Sequence, residues 1–166
     1  MIKIVTSPDL ISVVRNKHIL LDTNVFIDCS LNPNVFIDFL NMLKNNQITL
    51  TTIDLVLIEF LKGASDIIKY NEKRDLAKKI TDHIIPITKD IDENAFFLIN
   101  KYGINGKSLS VTDLYLGACL LKFKKNIFLL TKNTTDFPQN IFEVRSIINI
   151  TYPKGIHSYG IYQYFD

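Results

Sequence analysis

Short apolar runs alternate with longer stretches of helical periodicity along this chain, and the alternation predicts an α/β sandwich with a mainly parallel sheet. His18 to Asp22 reads as a buried strand. Asn32 can cap a helix that opens on Pro33, with Val35, Phe36, Phe39, Leu40 and Leu43 near one face. Gln47 to Thr51 is a second short strand, and a helix through Asp54 to Lys62 follows, ending near Gly63. Ser65 to His83 predicts another helix, with Ile67, Ile68, Leu76 and Ile80 turned inward. Ile84 to Ile87 is extended, and Pro86 assigns it to a sheet edge. Thr88 can cap a helix running to about Tyr102, before turn signals at Gly103 and Asn105-Gly106. Ser110 opens a further helix to about Lys125, Ile127 to Thr131 is a strong buried strand, and Ile147 to Thr151 is a weaker one.

A length of 166 residues fits one domain, read as residues 1–166 with 1–17 as a leader and 151–166 as a C-terminal extension packed on it. The hydrophobic share of 47% against 22% charged residues argues against disorder. A formal charge of +2 is compatible with nucleic acid as a partner only if basic groups are concentrated locally. Cys29 and Cys119 fall in apolar, helical segments without metal-ligand spacing, so reduced core thiols of a cytoplasmic protein are expected. Met1 to Lys17 carries Asp9 and lacks a continuous apolar region, so no signal peptide is expected. No apolar run approaches the ~20 residues that span a bilayer.

Four acids change the picture. In an open parallel sheet, ligands gather outside the carboxyl ends of the strands. Asp22 closes an apolar strand there, although a capping role would also explain it. Glu59 lies inside the apolar run Leu55 to Leu61, where a carboxylate must face solvent or find partners. Ser110-Val111-Thr112-Asp113 has the form of a capping box. Asp136 lies just beyond the strand ending at Thr131. If the four converge on one rim, their repulsion calls for a cation, and hard oxygen donors suit Mg²⁺ or Mn²⁺.

On these residues the sequence resembles the PIN-domain family, particularly its VapC-like toxins. Leu21-Asp22-Thr23-Asn24-Val25 looks like the opening motif, and Glu59-Phe60-Leu61-Lys62-Gly63 is similar to the second. Asp113-Leu114-Tyr115-Leu116-Gly117-Ala118 matches the third, and Thr131 to Phe137 resembles the fourth. The resemblance covers roughly Ile19 to Ile150. It implies a three-layer α/β/α sandwich and divalent-metal-dependent hydrolysis of RNA phosphodiester bonds. It carries catalysis and metal binding to Asp22, Glu59, Asp113 and Asp136. Thr131 and Asn133 would support the ligands or position substrate, and Thr23 and Asn24 would orient the first aspartate.

The sequence departs from the family in its longer leader and in Thr151 to Asp166, which carries Tyr152, His157, Tyr159, Tyr162, Tyr164 and Phe165. Those aromatics could pack as a terminal strand, contact a second subunit or stack on RNA bases. Lys132, inside the fourth motif, is the first candidate phosphate contact, with Lys101, Lys107, Lys122, Lys124 and Lys125 behind it. The resemblance also implies a homodimer and an antitoxin protein lying in an apolar groove. The helices around Val35 to Leu43 and Leu55 to Leu61 carry apolar residues enough for such a surface. Rival readings are a PIN nuclease of RNA maturation, an inactive PIN-like RNA-binding or scaffold protein, and an aspartate-dependent phosphatase. The last needs a second acid two residues after the first, where Asn24 stands.

Overall fold

The computed structural model describes residues 2–102 and 109–165. The turn signals at Gly103 and Asn105-Gly106, and Lys107, lie outside the described residues. Among the described residues, seven strands form one mixed sheet in the order β1-β6-β7-β5-β2-β3-β4. They are β1 (Lys3–Val5), β2 (His18–Leu21), β3 (Thr49–Ile53), β4 (His83–Ile85), β5 (Ile127–Thr131), β6 (Phe142–Tyr152) and β7 (Gly155–Tyr164). Their helices are α1 (Leu10–Val14), α2 (Thr23–Leu31), α3 (Pro33–Asn45), α4 (Asp54–Lys62), α5 (Ile67–Ile80), α6 (Lys89–Tyr102) and α7 (Val111–Phe123).

The core strands β5, β2, β3 and β4 run parallel. The other half of the sheet corrects the expectation of a mainly parallel one. β6 and β7 form a long antiparallel hairpin, β1 pairs antiparallel with β6, and β7 pairs antiparallel with β5. The weak strand signal at Ile147 to Thr151 is the centre of β6, and the C-terminal aromatic segment is β7, inserted between β6 and β5.

β5 is buried along its whole length and β2 from Ile19 onward, as strands with both faces covered should be. α2, α3, α4 and α5 contact one another as one group, and α6 packs on α7 as another. Gly117 allows a close approach in the second group: a Cβ there would stand 3.0 Å from the Phe142 ring and 3.2 Å from Leu98. β4 ends before Pro86 at the sheet edge, as that proline requires.

Other local expectations need correction. α5 is shorter than Ser65 to His83, and only its C-terminal part reaches the core through Ala77 and Ile80. Ile67 and Ile68, expected inward, are 69% and 67% exposed in its first turn. β3 starts two residues later than Gln47, which takes a left-handed turn conformation (φ 62°). Asn32 precedes Pro33 at the start of α3 but makes no side-chain cap.

Candidate acidic site

Parallel pairing of β2 with β5 brings their carboxyl ends to one rim, with Leu21 opposite Leu130. The ladder continues one step further, because the Asp22 N–H donates to the Leu130 carbonyl. Asp22 then leaves the strand and caps α2, its Oδ1 accepting from the Thr23 N–H at 2.6 Å. Its Oδ2 accepts from the Thr131 hydroxyl and the Asn24 amide, each at 2.5 Å. The Asn24 amide also donates to Thr131 Oγ1, and the Lys132 N–H donates to Asn24 Oδ1 at 3.2 Å. The Thr23 N–H and Asn24 amide of α2 and the Thr131 hydroxyl of β5 thus meet on the Asp22 carboxylate.

The other acids arrive from three further segments. Glu59 stands in α4, directly after β3, and its Oε2 accepts from the Thr23 hydroxyl at 2.8 Å. Asp113 is the third residue of α7. The Ser110 hydroxyl caps α7 by accepting from the Asp113 N–H at 3.0 Å and donates to the Asp113 carboxylate at 2.6 Å, a bond to the hydroxyl where a capping box would use the Ser110 backbone N–H. Asp136 follows β5, accepts from the Asn133 amide at 2.5 Å, and offers its carbonyl to the Tyr102 hydroxyl. Asn133 is itself anchored, its N–H donating to Thr131 Oγ1 at 2.9 Å.

Electrostatic influence is resolved at Asp22 and Asp113. Burial pushes the Asp22 carboxyl up to about 6, and the charges of Asp113 and Glu59 push the same way against the Thr131 and Thr23 hydrogen bonds. Asp113 is raised as well, first by burial and then by Asp136 and Glu59, while the Ser110 bond opposes the shift. Tyr102 is raised by burial, with Asp113 and Asp136 adding to it. Among the described residues, no basic side chain forms an ion pair with any of the four acids.

The oxygen-only donor set matches the chemistry of a hard divalent ion, whose charge would relieve this repulsion. Among the described residues, no group of three or more His, Cys, Asp or Glu side chains is placed to hold a metal ion. Both Asp22 oxygens are taken by protein donors.

The candidate phosphate contacts fare differently. The Lys132 ammonium turns inward to an ion pair with Asp28 and a contact with His157 Nδ1. Lys122 pairs with Asp90. Lys124 and Lys125 lie in the 3-10 turn before β5, at the opposite end of that strand from Thr131. They line a cleft of about 470 Å³ with Lys17, Arg145 and Phe165, on the rim away from the acids. Of these lysines, Lys124 and Lys125 stand at the rim away from the acids, while Lys132 and Lys122 are engaged in ion pairs. Lys101 is described on α6, its ammonium 5.6 Å from the Phe97 ring centre.

Sequence reasoning missed the polar group beneath β7. Buried Asp28 in α2 accepts from the Tyr159 hydroxyl and pairs with Lys132, and His157 Nδ1 lies 3.3 Å from its Oδ2. His157 Nε2 and the Tyr152 hydroxyl are 2.8 Å apart, and their rings stack at 5.0 Å. Burial holds His157 below its ordinary value and pushes the Tyr159 hydroxyl up. The one sequence signal was a carboxylate within the apolar run Val25 to Cys29, the same kind of signal that singled out Glu59.

No protein-family model matches this chain, and no curated protein does. Among solved structures, the chain is similar to a chain of VapBC2 from Rickettsia felis, crystallised bound to a DNA fragment from their promoter. The TM-score is 0.53 at 19% sequence identity, over 61% of this chain and 78% of that one. At that identity the likeness establishes shared fold. Among the described residues, no helix is long and apolar enough to cross a membrane.

Proposed function

We propose that this protein is a PIN-like, three-layer α/β/α nuclease, a divalent-metal-dependent endoribonuclease of the VapC-like toxin kind. The observation that supports the reading is the run of hydrogen bonds that links Asp22 through Thr23 to Glu59 and through Thr131 and Asn133 to Asp136, with Asp113 near enough for its charge to raise the Asp22 carboxyl. Asp22, Glu59, Asp113 and Asp136 would hold Mg²⁺ or Mn²⁺. Bound there, the ion would supply charge neutralisation for a displacement in which a water oxygen bonds to phosphorus as a P–O bond breaks.

The chain's own residues prepare that site. Thr131, Asn24 and the Thr23 N–H hold Asp22 in one orientation. Thr23 restrains Glu59, Ser110 restrains Asp113, and Asn133 restrains Asp136. Pre-set ligands lose less freedom when the ion arrives.

Partners follow from the same reading: an RNA substrate, a second copy of this chain and an antitoxin protein, all in the cytoplasm. The apolar surface for a protein partner differs from the one expected. Val35, Phe36, Phe39, Leu40 and Leu43 are absorbed by the core, and α4 exposes chiefly Ile58. Phe96, Phe97 and Ile99 on α6 stand 64%, 45% and 50% exposed instead.

A second reading, an inactive PIN-like RNA-binding or scaffold protein, draws on the engagement of both Asp22 oxygens by protein donors. The deciding experiment incubates purified protein with total cellular RNA and Mn²⁺, Mg²⁺ or chelator, beside Asp22→Asn. Discrete metal-dependent products absent from the variant establish the nuclease. RNA binding without turnover and indifferent to metal selects the scaffold.

A further inference from the structure

We propose that Asp28 is a positioning residue of the acidic site, acting through Lys132 on the segment that carries Thr131 and Asp136. This rests on the nuclease reading above. Asp28 is 6% exposed and takes the Lys132 ammonium and the Tyr159 hydroxyl on the same oxygen. A buried carboxylate left without donors is costly, so this pair dictates where the Lys132 side chain goes. The direction matters because Lys132 directly follows Thr131, the residue whose hydroxyl holds Asp22.

Two attachments then join α2 to the end of β5. Near the start of the helix, Asn24 Oδ1 receives the Lys132 N–H. Further along it, Asp28 receives the Lys132 ammonium. Asn24 and Asp28 are four residues apart and lie on one face of α2. Val25, Phe26 and Cys29 seat α2 in the core, and the two bonds to one residue join that seated helix to the end of β5 at two heights. Asp22 caps that helix, and Asn24 and Thr131, the residues that hold its Oδ2, sit on the two segments so joined.

The C-terminal hairpin supplies the buttress. Tyr159 and His157, both on β7, meet Asp28 and Lys132, and the His157 ring packs edge-on against Phe36 of α3 at 5.0 Å. The Lys132 ammonium lies 5.3 Å from the Tyr159 ring centre. The segment that departs from the family pattern would therefore support the acidic site from behind.

The test uses the full chain as Asp28→Asn, Lys132→Met and the double variant. Asp28→Asn alone leaves the ammonium beside a neutral amide, so its Tm should fall. The double variant removes both charges and should recover most of that fall. Positioning predicts that the double variant, though stable, still loses about 10-fold or more in kcat and in Mn²⁺ affinity by calorimetry, with KM within about twofold of wild type.

A double variant that recovers kcat and Mn²⁺ affinity together with Tm would make the pair purely structural and overturn the proposal. A loss confined to KM would make Lys132 a substrate contact and overturn it equally. Wild-type protein that neither binds Mn²⁺ nor cuts RNA would sink the nuclease reading and this proposal with it. Wild-type binding and cleavage beside an unaffected double variant would sink the proposal alone.

Discussion

The Thr131 hydroxyl donates to Asp22 Oδ2 at 2.5 Å across 109 positions of sequence. The bond spans the ends of two neighbouring parallel strands, one step beyond the Leu21–Leu130 pair. The same hydroxyl oxygen accepts from the Asn24 amide and the Asn133 N–H. One threonine thus links the cap of α2 to the loop that bears Asp136, and the acidic site depends on that register.

Replacing Asp22 or Asp113 with asparagine should abolish metal-dependent RNA cleavage, by at least about 100-fold, while the fold survives. The amide keeps the shape of the carboxylate and opens no cavity, but it gives the ion no charge. Turnover is to be compared with the thermal midpoint of each variant. Comparable cleavage by wild type and both variants at matched stability would remove these residues from the site.

Stability should fall as pH rises through the range in which Asp22 ionises. Its folded value of about 6 lies above the ordinary 3.8, so between those limits the folded chain keeps a proton that the unfolded chain has lost. The fall is roughly 3 kcal/mol at about 1.4 kcal/mol per pH unit, complete above the folded value. Denaturant titrations in chelator should show it in wild type and not in Asp22→Asn. Near neutral pH, Mn²⁺ should restore stability by about 2.7 kcal/mol at a hundredfold excess over its Kd. An identical pH profile for the two proteins would mean that Asp22 is not the group that burial raises.

Ser110→Ala removes the cap of α7 and the donor to the Asp113 carboxylate together. A loss of about 1 kcal/mol is expected from the cap. The Asp113 carboxyl should also titrate higher than in wild type, because the Ser110 bond opposes its upward shift. NMR titration of the Asp113 side chain checks this, and an unchanged titration would mean that Ser110 acts on the helix alone.

Gly160 sits beneath the Tyr162 ring on β7. A Cβ there would come within 2.3 Å of Tyr162 Cε2, and that ring is only 2% exposed, so it has little room to move aside. Gly160→Ala should cost about 1–3 kcal/mol. The Gly160→Ala, Tyr162→Leu pair should recover part of the loss. Calorimetry measures both, and an unchanged Tm in Gly160→Ala would show that the hairpin shifts freely against β5.

Much of the candidate site was legible because its signals are local. The apolar run before Asp22, the run Ile127 to Thr131, the helix Asp54 to Lys62 and the Ser110 cap each depend on residues a few positions apart. Side-chain periodicity and capping geometry operate over that range, so the sequence by itself determined these elements and set Asp22 at the end of a strand, Asp113 early in a helix, Glu59 within one and Asp136 in the loop after β5. Tertiary structure decided the rest. The apolar alternation in Phe142 to Tyr164 carries no direction or neighbour, and only sheet closure inserted β7 antiparallel beside β5. Lys132 looked like an exposed cation until Asp28, 104 residues earlier in the numbering, came under it. The lysines around residue 124 and the acids belong to neighbouring stretches of sequence, yet strand β5 carries them to opposite rims. Local spacing specifies which way a side chain leaves the backbone, while what it meets there is set by strand order and register.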